Sequence, residues 1–305
     1  MADEHCHVAI VGAGPAGLSA ALTLARSLQP TIVFNSRHSA RNTASPGFGG
    51  LLGRELATSE DLRGIALGEI ERYGSVRFHE SDVVRIGREA TGGFTLVAAD
   101  GAAARAERIL LACGMVDLMP PIRRLDDFWG TSVINCPFCH GFELHGRPWG
   151  VIVNRIQMLD VAAVYTTWTD DLLLFVAPDV PLDADRQAQL EAQAIRTERR
   201  PVRGLVGDGT NLRGIELADG EVIERQALVL WPFQKQADVV ATMGVPLDEQ
   251  GYVIVDDGYR TQRSGIYAAG DLIYAGHQNV NTAIHMGALA AAAMVLDRSL
   301  GRDAD

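Results

Sequence analysis

Residues 136–140 read Cys-Pro-Phe-Cys-His, and a cysteine pair at this spacing serves three chemistries. With a histidine directly behind it, the pair is the attachment signature of c-type haem. Alone it is half of a tetrahedral zinc site, or two sulfurs that make and break a disulfide. Haem attachment belongs outside the cytoplasm, and the chain opens MADEHCHVAIVGAGPAG, with acids where an export signal carries basic residues. Zinc needs two further ligands, and neither His145 nor His5-Cys6-His7 stands at a finger spacing. No metal is therefore expected. Which chemistry the pair performs depends on what the chain builds around it.

The chain has 305 residues, enough for two ordinary domains, and its 47% hydrophobic and 21% charged content is that of a globular protein. A net charge of −11 argues against a nucleic-acid partner. The longest apolar run, GALAAAAMVL (287–296), is shorter than a bilayer span. A cytoplasmic protein without a membrane partner is expected. Four cysteines, at 6, 113, 136 and 139, make no secreted disulfide framework, and in the cytosol a close pair is catalytic or metal-binding. Cys113, ending the apolar LLACG, reads as a core residue, and Cys6 as a tail thiol.

The elements that must position this chemistry start at the N-terminus. Gly12, Gly14 and Gly17 have G-x-G-x-x-G spacing, after the strand VAIV and at the start of a helical pattern that Pro15 and Ala16 enter. The first glycine permits the tight turn, the second lets a pyrophosphate approach the backbone, and the third lets helix and strand pack closely. The helix N-terminus faces the phosphate charge. Dinucleotide binding follows. An acid usually ends the second strand and holds the ribose; here PTIVFNSR presents Asn35, which can bond a hydroxyl but lacks the charge.

Near the other end, the strand SGIYAAGDLI (264–273) runs into Gly270-Asp271 and then into the helical NVNTAIHMGALAAAAMVL (279–296). This combination resembles the second FAD motif of the thioredoxin-reductase-like flavoproteins. The order of the glycine turn, the Cys-x-x-Cys and the Gly-Asp motif is similar to that family along nearly the whole chain. The resemblance implies an α/β fold of two Rossmann-like nucleotide-binding domains, with FAD as cofactor and a homodimer as the assembly. The domains would be 1–115 (FAD, first part), 116–248 (an inserted NADPH-like domain carrying the cysteines) and 249–305 (FAD, second part). It implies that Asp271 contacts the flavin's ribityl and phosphate region. It also implies that the helix starting near Asn279 and Val280 aims at the flavin ring, Cys139 is the flavin-side sulfur and Cys136 is the interchange thiol. The family's usual acid/base aspartate is replaced by His140, whose imidazole can take a thiol proton near neutral pH.

The inserted domain lacks its nucleotide fingerprint. GVIVNRIQMLDVAAVYTT (150–167) puts Asn154 to Leu159 where the glycines should stand, and no basic cluster follows DLLLFVA (171–177). Strand and helix patterns survive, so the fold is expected and a working nicotinamide site is not. CPFCHGFE together with this loss resembles the dithiol oxidases that close the disulfides of gliotoxin, holomycin and romidepsin. Arg41-Asn42 is similar to the flavin-contacting loop of that group. The implied partners are a small dithiol and O2. Ferredoxin-dependent thioredoxin reductases also lack the NADPH motif and are the alternative. Trp231-Pro232-Phe233 is either an aromatic wall or core, and His277 and His285 flank the flavin helix.

Overall fold

The structure is a computed structural model that describes residues 4–36, 41, 43–274 and 276–302. The chain divides into two compact units, 1–41, 59–117 and 234–305 in one, and 42–58 with 118–233 in the other. The boundaries depart from the expected ones by two residues at 116–117, and by longer stretches in two places. Residues 234–248 fold with the first unit. Residues 42–58, read as part of the FAD portion, fold with the cysteine-bearing unit.

The first unit holds a seven-stranded sheet. Strand Glu4–Val11 pairs in parallel with Thr31–Phe34 on one side and Ala103–Leu111 on the other, and Ile266–Ala268 also runs parallel to Ala103–Leu111. Helix Pro15–Arg26 starts at the expected proline, with Gly14 as its N-cap. It buries Ala20, Ala21, Leu24 and Ala25 completely, a face of three alanines and one leucine that suits close packing. Its partner is the C-terminal helix Val280–Leu300. A Cβ at Gly287 would lie 2.0 Å from the carbonyl oxygen of Ala16, so only glycine permits this crossing. At 21 residues that helix is long and apolar enough to cross a membrane by length and composition, contrary to the length expected from the apolar run. The helix extends beyond the run on both sides, and here it packs in the core. Cys6 is likewise no tail thiol: it lies in the first strand, 1% exposed.

The same helix carries a buried acid. Asp297 accepts from Arg260 Nε and Nη2 at 2.6 and 2.8 Å and from the Tyr267 hydroxyl at 2.7 Å. Hydrogen bonding from Arg260 holds this carboxyl below its ordinary value, against the opposing effect of burial. A lowered folded-state value means the stabilisation is present above an unfolded-state pKa of about 3.9 and is lost as pH falls through the folded one. Asp297→Asn is expected to cost about 2 kcal/mol at neutral pH, because it removes the buried carboxylate and leaves Arg260 only the more exposed Asp256 as counter-charge, at 3.2 Å. Urea midpoints measured against pH should begin to draw together for the two proteins as pH falls below about 4, and meet only below the lowered folded-state value.

The second unit is built on a five-stranded sheet, Arg196–Glu198, Leu172–Val176, Trp149–Val153, Ala227–Leu230 and Val133–Ile134 in spatial order, all parallel. An antiparallel three-stranded sheet, Val202–Asp208, Asn211–Leu217 and Val222–Glu224, packs with it through Leu205, Ile215, Leu228 and Phe175. Both units therefore carry the parallel Rossmann-like sheet expected of them.

Candidate active site

In the first unit, the glycine turn and the Gly-Asp turn follow strands that flank the same central strand. Gly12 has φ +109°, and a side chain there would drive into the Ala112 carbonyl at 2.5 Å; a Cβ on Gly17 would sit 1.9 Å from the Gly12 oxygen. Gly14 is the opposite case: its added Cβ meets nothing within 4 Å. Two glycines are thus demanded by the turn itself, while the third leaves open space at the end of helix Pro15–Arg26. Gly270 comes within 3.0 Å of Ala16 Cβ on the same test, so the two motifs adjoin. Asn279 caps the C-terminal helix by accepting from the Thr282 N–H at 2.9 Å, and Val280 is its buried first residue.

A polar network surrounds Asp271. Arg41 donates to Asp271 at 3.2 Å, to Gln278 at 2.7 Å and through two nitrogens to Asp117 at 2.6 and 2.8 Å. Gln234 joins Asp117 to Gln278 at 2.9 and 3.0 Å. Burial raises both the Asp271 and the Asp117 carboxyls, and Arg41 opposes the rise. Asn42 lies outside the described residues. Asn35 donates to Glu80 at 2.6 Å, which puts a carboxylate from just past the neighbouring strand Val76–His79 beside the end of the second strand. Nothing in the local sequence marks Asp117, Gln234 or Glu80; each is found only through the sheet register or a long-range bond.

In the second unit, Cys136 and Cys139 form a disulfide with Cα atoms 5.3 Å apart. Cys136 is the N-cap of helix Pro137–Leu144 and Cys139 lies in its first turn, where the positive end of the helix favours a thiolate. The helix is held by tryptophans: Trp149 Nε1 donates to the Leu144 carbonyl at 2.9 Å, and Trp168 packs against Gly141 and stacks on Trp149. Phe138 and Phe142 stand four residues apart and are exposed. The segment 43–58 packs on the first turn of this helix, where a Cβ on Gly49 would lie 2.1 Å from the Cys139 carbonyl oxygen. His140 Nε2 lies 2.7 Å from Ser45 Oγ and 3.0 Å from the Gly47 oxygen, while its Nδ1 is buried without a hydrogen-bond partner. Ser45 and Gly47 were not legible as site residues, since they are 95 and 93 positions away from His140. Cys113 lies outside this chemistry: burial pushes its thiol up to about 12, so it is no thiolate at neutral pH.

The strand Trp149–Val153 ends at Asn154-Arg155, where a dinucleotide fold would turn on glycine. Asn154 Nδ2 donates to the Trp231 carbonyl at 2.9 Å, and Arg155 Nη2 donates to the carbonyls of Trp231 and Pro232 at 3.0 and 3.2 Å. The Arg155 guanidinium lies 4.8 Å over the Phe233 ring. Trp231-Pro232-Phe233 is thus the seat of this plug. The continuous helix expected next is replaced by Gln157–Asp160 and a 3-10 helix, Ala162–Thr167. Four residues align too few peptide dipoles to receive a pyrophosphate.

The pyridine nucleotide-disulphide oxidoreductase family matches residues 6–287, and the chain belongs to that family. Thioredoxin reductase tcpT of Claviceps purpurea is 29% identical over 274 residues, covering 86% of this chain and 85% of that one. Thioredoxin reductase sirT of Leptosphaeria maculans is 26% identical, with coverage of 86% and 85%. Among solved structures, HlmI superposes with a TM-score of 0.89 at 27% identity, covering 98% of this chain and 95% of that one. An oxidoreductase from Agrobacterium tumefaciens gives 0.89 at 29%, covering 97% and 99%.

The protein is a flavin disulfide oxidoreductase of thioredoxin-reductase type, with FAD as its cofactor. Its residues fit that group. The open face of Gly14 leaves room for a pyrophosphate against the helix N-terminus. Asp271, with Arg41 beside it, offers a carboxylate and a guanidinium at the adjoining turn.

Proposed function

We propose that this protein is a dithiol oxidase, closing an intramolecular disulfide in a small natural-product dithiol of the holomycin, gliotoxin or romidepsin kind and using O2 as acceptor. One observation carries the reading: an intact Cys136–Cys139 disulfide coexists with a nucleotide turn filled by Asn154 and Arg155. In a family named for pyridine nucleotides, electrons must then enter by another route, and a dithiol can deliver them to the disulfide directly.

One substrate thiolate attacks Cys136 Sγ, the Cys136–Cys139 bond breaks, and its electron pair stays on Cys139, where the helix N-terminus favours the charge. His140 removes the proton from the attacking thiol. The second substrate sulfur then displaces Cys136 and closes the product ring. When bound, FAD supplies the remaining chemistry, transfer of the two-electron equivalent from the cysteine pair to O2 to give H2O2. Cys139 is the flavin-side sulfur by its match to the family motif. A cytoplasmic homodimer is the assembly in keeping with this reading.

Anaerobic titration of the yellow protein tests it. NADPH and NADH should bleach the flavin no faster than background, while a ring-forming dithiol bleaches it rapidly. Air should then restore the colour with about one peroxide per disulfide, as two-electron exchange requires. Rapid bleaching by NADPH would overturn the assignment. A response to reduced ferredoxin and none to small dithiols would favour a ferredoxin-linked reductase.

A further inference from the structure

We propose that Ser45 and the Gly47 carbonyl lock His140 in the tautomer with its hydrogen on Nε2, making Nδ1 the atom that takes the substrate thiol's proton. Ser45 is the positioning residue, and the identity of the thiol rests on the oxidase reading above. The assignment follows from hydrogen-bond geometry. A carbonyl oxygen carries no hydrogen, so at 3.0 Å from the Gly47 oxygen Nε2 must be the donor. Ser45 Oγ donates to that same oxygen at 2.8 Å and turns a lone pair toward Nε2 at 2.7 Å. The three groups close a triangle that has one consistent arrangement of hydrogens. The other tautomer would set two lone pairs 3.0 Å apart and leave a buried Nδ1–H without an acceptor, two penalties together.

The buried, unpartnered Nδ1 is therefore a free lone pair. Among the described residues no carboxylate or guanidinium is hydrogen-bonded or ion-paired to the ring. His140 follows Cys139 directly, and its N–H closes the first turn of the helix on the Cys136 carbonyl at 3.2 Å, so ring and disulfide stand at the same end of the helix. In the first step the thiol proton moves to Nδ1 as the substrate sulfur bonds Cys136 and the disulfide electron pair passes to Cys139. When the second substrate sulfur displaces Cys136, the imidazolium returns its proton to that leaving thiolate. The proton of the second thiol goes to solvent.

The test uses the oxidised holoenzyme with 15N-labelled histidine, its His140 signals identified by their loss in His140→Gln. Without substrate, Nε2 should give a protonated, pyrrole-type signal and Nδ1 a bare, pyridine-type one. Ser45→Ala should broaden or redistribute these signals and Ser45→Thr should keep them. With a dithiol, Ser45→Ala should lower kcat/KM by about tenfold near neutral pH, part of the ~100-fold or more that a positioned base contributes. The deficit should shrink toward pH ~8.5, where thiols ionise unaided, and Ser45→Thr should restore the rate. A proton on Nδ1 in the wild-type ring overturns the proposal, as does a Ser45→Ala variant with wild-type ring signals and pH profile. Should Ser45→Ala fail to fold, the wild-type and Ser45→Thr ring spectra still decide. Because those spectra need no dithiol, failure of dithiol oxidation would strike the functional reading without deciding the tautomer.

Discussion

Cys136→Ser and Cys139→Ser should each reduce turnover by on the order of 10³-fold or more, as expected when one member of an obligatory pair is removed, yet leave different spectra. Serine keeps the size and the helix position, so the fold around Trp149 and Trp168 should persist. With Cys136 gone, Cys139 is a free thiol in the first turn of helix Pro137–Leu144, where the helix N-terminus favours its thiolate. If Cys139 is the flavin-side sulfur, Cys136→Ser should show a long-wavelength thiolate-to-flavin band without added reductant. Cys139→Ser leaves the interchange thiol and should show none. A band confined to Cys139→Ser would reverse the two roles. Retained turnover in either variant would remove the disulfide from the mechanism.

Gly14→Val should lose FAD while keeping its fold. An added Cβ at Gly14 touches nothing within 4 Å, and its backbone at φ −74°, ψ −178° suits any residue. The backbone and the space at the Cβ therefore accept a side chain, while a branched one would occupy the place of a pyrophosphate that must approach this backbone. Flavin affinity should weaken at least ~100-fold, equivalent to about 2.7 kcal/mol. Flavin-to-protein ratio after gel filtration reads the loss, and circular dichroism reads the fold. Gly17→Val is the contrasting control, since its Cβ would meet the Gly12 carbonyl and should damage the turn itself. Stoichiometric FAD in Gly14→Val would refute the role given to the N-terminal turn.

What could be read along the chain was whatever is local. The glycine turn, the Gly-Asp turn and the cysteine pair each declare themselves within a few residues, because spacing dictates backbone geometry there. The loss at Asn154-Arg155 was equally local, but its completion was not. That Arg155 bonds the Trp231 and Pro232 carbonyls depends on Trp149–Val153 lying beside Ala227–Leu230 in the sheet, a pairing no short-range pattern announces. The broken helix after Asp160 is not legible for a related reason: QMLDVAAVYTT has a helical apolar rhythm, yet the chain forms Gln157–Asp160 and a separate 3-10 helix. Ser45 was hidden by its address, sitting in a stretch whose two flanks belong to the flavin-binding unit.

That address has a practical consequence. Because 42–58 and 118–233 make one compact unit and the remainder makes the other, the polypeptide passes between them four times, at 41/42, 58/59, 117/118 and 233/234. A single proteolytic cut at any one of these crossings leaves three covalent tethers in place, so nicked protein should co-elute as one species until it is denatured. Excising 118–233 as an isolated fragment would likewise strip the redox helix of its buttress. The fragment would contain both sulfurs and the imidazole but neither Ser45 nor Gly47, and the ring would be free to choose its own protonation pattern.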